Sequence, residues 1–105
     1  MFSTGCYRSG VELVGTWERR IDSYEVRVIF DNDGTFQLQV GDRARTIDGV
    51  YEVEDDIIVI SDEDCEEFEG KYRVERDAYT LTFFALNDAC EGRTQVLTGN
   101  WGFKE

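Results

Sequence analysis

Apolar and polar residues alternate with a period of two through most of this chain. In YEVRVIF (24–30), Tyr24, Val26, Val28 and Phe30 share one face, and Glu25 and Arg27 lie opposite. In TFQLQV (35–40), Phe36, Leu38 and Val40 alternate with Thr35, Gln37 and Gln39. TIDGVYEV puts Ile47, Gly49, Tyr51 and Val53 on one side; GKYRV does the same with Gly70, Tyr72 and Val74, and YTLTFFAL with Tyr79, Leu81 and Phe83. That period belongs to half-buried strands. IIVI (57–60) is apolar on both faces, which predicts a strand covered on both. DNDG (31–34) and Gly41-Asp42 read as turns, Gly34 being suited to a positive φ. No segment keeps a helical period beyond about three turns, so residues 89–98 hold at most one short helix or an irregular turn.

These segments predict about eight short strands with turns every 8 to 12 residues or so. The expected fold is all-β: an antiparallel up-and-down β-barrel, whose closure removes the sheet edges. Six times a glycine is followed two residues later by an aromatic: Gly5-Tyr7, Gly15-Trp17, Gly34-Phe36, Gly49-Tyr51, Gly70-Tyr72 and Gly99-Trp101. GVYEVEDDIIVI and GKYRVERDAYTLTF go further and read as a repeated hairpin, their glycines 21 residues apart. Glycine lets the chain bend or lie close at a strand start, and the aromatic two on points to the same face. An eight-stranded barrel is either filled by its own side chains or holds one small ligand.

Composition narrows the function classes. A chain of 105 residues is one domain, read as an N-terminal segment, 1–10, and a barrel, 11–105. The net charge of -12 argues against nucleic acid or an anionic membrane as partner, because both require basic patches. The absence of histidine removes Ser-His-Asp and Cys-His nucleophile systems and most catalytic zinc sites. No metal and no cofactor are expected. Three cysteines cannot all pair within one chain, and the oligomeric expectation is a monomer or a homodimer. No stretch approaches the roughly 20 apolar residues of a membrane span. MFSTGCYRSG has neither a charged n-region nor an apolar h-region, so the chain as written reads as cytoplasmic. STGC alternatively matches the end of a lipoprotein cleavage box with Cys6 lipidated, which would make the protein exported.

Gly15-Thr-Trp17, a strand and then DGTF resemble the first hairpin of the lipocalin-like calycin barrels. Further on, Cys65, EGKYRVERDAYTLTF and NDACEGRTQVLTGNW resemble a group of small bacterial lipocalin-like domains. The matching positions are Cys65, Gly70, Tyr72, Asp88, Cys90, Arg93, Leu97, Thr98 and Trp101, within a resemblance spanning roughly residues 11–103. It implies an up-and-down barrel with an internal cavity. It also implies a Cys65–Cys90 disulfide, set against two free thiols in a reducing compartment; the bridge would stabilise the fold by about 3 kcal/mol. Cys90 lacks a histidine base and is flanked by Asp88 and Glu91, which disfavours a nucleophilic role. In such barrels a C-terminal arginine packs across the G-x-W tryptophan, which assigns Arg93 a structural place over Trp17.

Tyr24, Phe36, Tyr51, Tyr72, Phe83 and Trp101 are the candidate pocket lining, for a flat or elongated apolar molecule, or else the barrel filling. The leading function is binding of a small, largely apolar molecule. The alternatives are a cyclase- or isomerase-type barrel enzyme using Tyr51, Tyr72 or Glu52 as handles, and an acidic module that docks on a basic partner. The run SDEDCEEFE (61–69) reads as a solvated acidic loop. DNDG reads as a hairpin turn rather than a calcium loop, since the required downstream glutamate is missing.

Overall fold

The computed structural model describes residues 11–41 and 45–104, Arg45 by its backbone alone. Among them eight strands close into an antiparallel barrel in simple chain order. They are β1 (Gly15–Ile21), β2 (Tyr24–Phe30), β3 (Thr35–Val40), β4 (Arg45–Glu54), β5 (Ile57–Asp62), β6 (Gly70–Arg76), β7 (Thr80–Asn87) and β8 (Gly99–Lys104). A 3-10 turn, Glu63–Cys65, follows β5, and a seven-residue helix, α1 (Glu91–Leu97), lies between β7 and β8. β8 returns to β1 through Thr16↔Lys104, Trp17↔Phe103 and Glu18↔Gly102, so no strand edge is left open. The short β1–β2 and β4–β5 turns each carry an aspartate in the left-handed region, Asp22 at φ 54° and Asp55 at φ 59°.

The alternation seen in the sequence becomes inside and outside. Buried Val28 and Phe30 of β2 face buried Leu38 and Phe36 of β3 across the ladder, and buried Val26 faces half-buried Val40. Trp17, Trp101, Tyr72, Phe30 and Phe83 are the largest fully buried side chains. Four of these rings pack in sequence: Phe30 meets Phe83 with centroids 6.4 Å apart, and Phe83 meets Tyr72 at 6.0 Å and Trp101 at 6.5 Å, while Trp17 packs on Phe103 at 5.1 Å. An eight-stranded barrel has an interior about as wide as such side chains, and here they occupy it.

Outside, the wall is not uniform. β1 to β4 present paired polar groups, including Glu18–Arg27 at 2.5 Å and Gln37–Asp48 at 3.3 Å, with exposed Val50 of β4 among them. β5 differs. Ile58 and Ile60 are fully buried on its inner face, but Ile57 and Val59 on the outer face are only half-buried. Among the described residues, the expected cover over both faces is therefore complete on one face and partial on the other.

Candidate functional site: the two ends of the barrel

The same short motif begins β1 and β8. Leu13-Val-Gly-Thr-Trp17 and Leu97-Thr-Gly-Asn-Trp101 each put a buried leucine four residues before a buried tryptophan. Trp17 Nε1 donates to the Leu13 carbonyl at 2.9 Å, and Trp101 Nε1 donates to the Leu97 carbonyl at 3.0 Å. The intervening glycines, Gly15 at φ 137° and Gly99 at φ 126°, allow the reversal that brings each carbonyl back over its indole. A guanidinium then covers each ring: Arg76 lies 5.1 Å from the Trp17 centroid, and Arg19 lies 5.6 Å from that of Trp101. Each arginine also binds the incoming chain, Arg76 at the Glu12 carbonyl (2.6 Å) and Arg19 at the carbonyls of Val96 (3.1 Å) and Thr98.

This corrects the expectation that Arg93 covers Trp17. Arg93 is 5% exposed and is held by carboxylates instead. Its Nε donates to Asp88 Oδ2 at 2.8 Å, and its Nη2 to Asp88 Oδ1 at 2.9 Å and to the Phe68 carbonyl at 2.6 Å. Its Nη1 donates to Asp62 Oδ2 at 3.0 Å. A buried guanidinium needs such a charge-assisted set, and a tryptophan face alone would leave its donors unpaired. Burial by itself would lower the Arg93 pKa, but the hydrogen bonds and charges of Asp88 and Asp62 overcome it and raise it. Burial would likewise raise Asp88, yet hydrogen bonds from Arg93, Tyr72 and the Cys90 amide leave its carboxyl below the usual range. The Tyr72 hydroxyl donates to Asp88 Oδ2, and burial together with that bond raises the phenol. Gly70 sits against the same group: a Cβ there would fall 2.7 Å from the Asp88 carboxyl carbon.

The two aspartates also shape the cysteine loops. Asp62 Oδ1 accepts from the Asp64 and Cys65 amides, and Asp88 Oδ1 accepts from the Cys90 amide at 2.9 Å. Each cysteine thus follows an aspartate that sets its backbone, and Cys65 and Cys90 are joined in a disulfide with Cα atoms 6.3 Å apart. The sequence reading placed Asp62 in a solvated acidic run; the structure takes it out of that run and buries it.

α1, the disulfide and the mouth of the barrel enclose a cleft of about 600 Å³. Leu38, Val40 and Ile47 supply one wall, Val96, Gln95 and Gly92 of α1 face them, and Asp62, Asp64, Cys65, Cys90 and Arg93 lie along the loop side. Tyr24 stands at the rim, 37% exposed. Of the six aromatics expected to line a pocket, only Tyr24 reaches this cleft. Phe36, Tyr72, Phe83 and Trp101 are core, and Tyr51 is half-buried at the opposite end, its hydroxyl donating to the Asp31 carbonyl at 2.6 Å. Glu52 is exposed on the outer wall. The three candidate catalytic handles are therefore not gathered: the Tyr51 and Tyr72 hydroxyls serve opposite ends, and Glu52 lies outside. Alternation assigns Val40 and Ile47 a face but not a depth, and it carries no signal for Val96, which lies on α1.

Among the described residues no helix is long and apolar enough to cross a membrane, and no three cysteines or carboxylates are placed to hold a metal ion. Cys6 and the STGC box lie outside the described residues. No family model, no curated protein sequence and no solved structure matches this chain. What the molecule shows is a closed eight-stranded antiparallel barrel, consistent with a calycin-like fold.

Proposed function

We propose that the chain is a lipocalin-like barrel that receives a small, largely apolar molecule in the cleft at its α1 end. The observation that carries this reading is the apolar wall of Val40 and Ile47, which continues the inner face of β3 and β4 from buried Leu38 to the rim and lines the cleft together with Val96 of α1. A volume near 600 Å³ lies within the usual range of small-molecule sites. Tyr24 at the rim adds an aromatic face and one hydroxyl for orientation. Binding is favoured over catalysis because Asp62, Asp88, Tyr72 and Arg93 are spent on one another. The Cys65–Cys90 bridge suits an oxidising compartment and supports the exported placement over the cytoplasmic one.

The test is titration with N-phenyl-1-naphthylamine, a neutral fluorescent probe that a net charge of -12 does not repel. Saturable one-to-one binding is expected. Val40→Arg should weaken it by about tenfold or more, equivalent to at least about 1.4 kcal/mol. Val14→Arg, at the opposite end, should leave it unchanged. Non-saturating fluorescence, or equal behaviour of the two variants, would overturn the reading.

A further inference from the structure

The outer wall of β4 to β6 is organised in columns. The register sets Glu54 beside Ile57 and Ile57 beside Arg73; one step along, Glu52 lies beside Val59 and Val59 beside Lys71. Residues paired across neighbouring strands point to the same side. Over these two rows the outer face therefore reads acidic on β4, apolar on β5 and basic on β6, bounded by Val50 at one end of β4 and by Glu75 at the other end of β6. Glu52, Glu54 and Lys71 are exposed, and Ile57, Val59 and Arg73 are half-buried. Arg73 is braced by Glu75 at 2.6 Å and lies 4.3 Å over the Phe84 ring, whereas Lys71 makes no ion pair among the described residues.

We infer that this face is the contact surface for a second copy of the same chain, related by a two-fold axis running along β5. Such an axis lays Ile57 and Val59 on their own counterparts. It carries the β4 column of one copy over the β6 column of the other, so Glu52 meets Lys71 and Glu54 meets Arg73, twice per dimer. A two-fold axis across the strands would instead set acid on acid and base on base. The columns are thus self-complementary for one isologous arrangement and repulsive for the other. A barrel wall is convex, which limits close contact to about three adjacent strands, the three that carry the pattern. The second copy also accounts for IIVI, a segment apolar on both faces whose outer face is only half-buried among the described residues. Basic groups are scarce on a chain of net charge -12, and two of them stand here flanking an apolar column.

Sedimentation equilibrium at ionic strength about 0.15 M, where screening over about 8 Å damps the net repulsion but not contact pairs, tests the proposal. The wild-type chain is expected to dimerise reversibly. Val59→Glu should raise the dissociation constant at least about tenfold. Glu52→Lys and Lys71→Glu should each be monomeric alone, and an equimolar mixture should dimerise again, because both cross-contacts in the mixed pair become opposite in charge. Glu54→Lys mixed with Arg73→Glu repeats the test on the other row should either first variant fail to fold by circular dichroism. A monomeric wild type, a Val59→Glu dimer as tight as wild type, or folded charge-reversal variants that stay monomeric when mixed would each overturn the inference.

Discussion

The two ends of the barrel are built on one device and finished differently. At each end a tryptophan donates to a leucine carbonyl four residues back, and an arginine covers its ring. At the Trp17 end the segment that closes the barrel is extended chain, residues 11–14, fastened by Val11 to the Asp55 carbonyl and by exposed Arg76 to the Glu12 carbonyl. At the Trp101 end the closing segment is α1. A helix of seven residues has no stability of its own in water. It is fastened by a disulfide and by a buried arginine shared between two aspartates. The extended segment leaves a smaller cleft, about 390 Å³ between Val11–Val14 and Gly34, Tyr51 and Val53. The helix leaves a larger one, about 600 Å³. The heavier fastening at the α1 end thus accompanies the larger opening.

That contrast can be broken most sharply at its arginines. Arg93→Met should destabilise the fold by about 3–5 kcal/mol, since it strands two buried carboxylates. Arg76→Met, which removes an exposed cation from the other end, should cost less than about 1 kcal/mol; both are read by urea denaturation. Acid should act on the same cluster. Asp88 is held below its unfolded pKa, so its contribution is complete above the ordinary carboxylate range near about 4 and is lost as pH falls through the lower folded value. Asp88→Asn should flatten that part of the stability–pH curve.

The disulfide comes next in size. It closes a loop between residues 25 apart, so Cys65→Ser with Cys90→Ser should cost about 3.5 kcal/mol. The same double variant should raise the probe's dissociation constant, as α1 loses its covalent fastening. If stability falls while binding is unchanged, the bridge serves the fold alone. The smallest effects test the shared device: Trp17→Phe and Trp101→Phe should each cost about 1–3 kcal/mol, from an orphaned buried carbonyl and a small void. Matching values in thermal melts would support equivalence, and a large disparity would end it.

The strands were legible because period two is a local property: YEVRVIF and TFQLQV coincide with β2 and β3 residue for residue. The loss of that period marks 89–98 as a short helix or an irregular turn, and α1 is the helix. The resemblance sets Arg93 over Trp17, and nothing local distinguishes its actual partner Asp62 from the five other acids in SDEDCEEFE. Its burial is decided by a partner 31 positions away. A usable signal was present, since each bridged cysteine follows closely on an aspartate, Asp62 before Cys65 and Asp88 before Cys90. The leucine four residues before each tryptophan was visible as well, but a search for glycine and aromatic pairs passes over it. The cleft was not legible, because alternation gives the same sign to Phe36, which is core, and to Val40, which is rim.

The pairing of Thr16 with Lys104 has a consequence for how the molecule is presented. It places the entry to β1 and the exit from β8 side by side, at the end away from α1. Anything joined to the chain at either point, whether an anchor, a surface or a fused body, would hold the barrel by its base. The cleft would then face outward like a cup on a stalk, unobstructed by its own attachment.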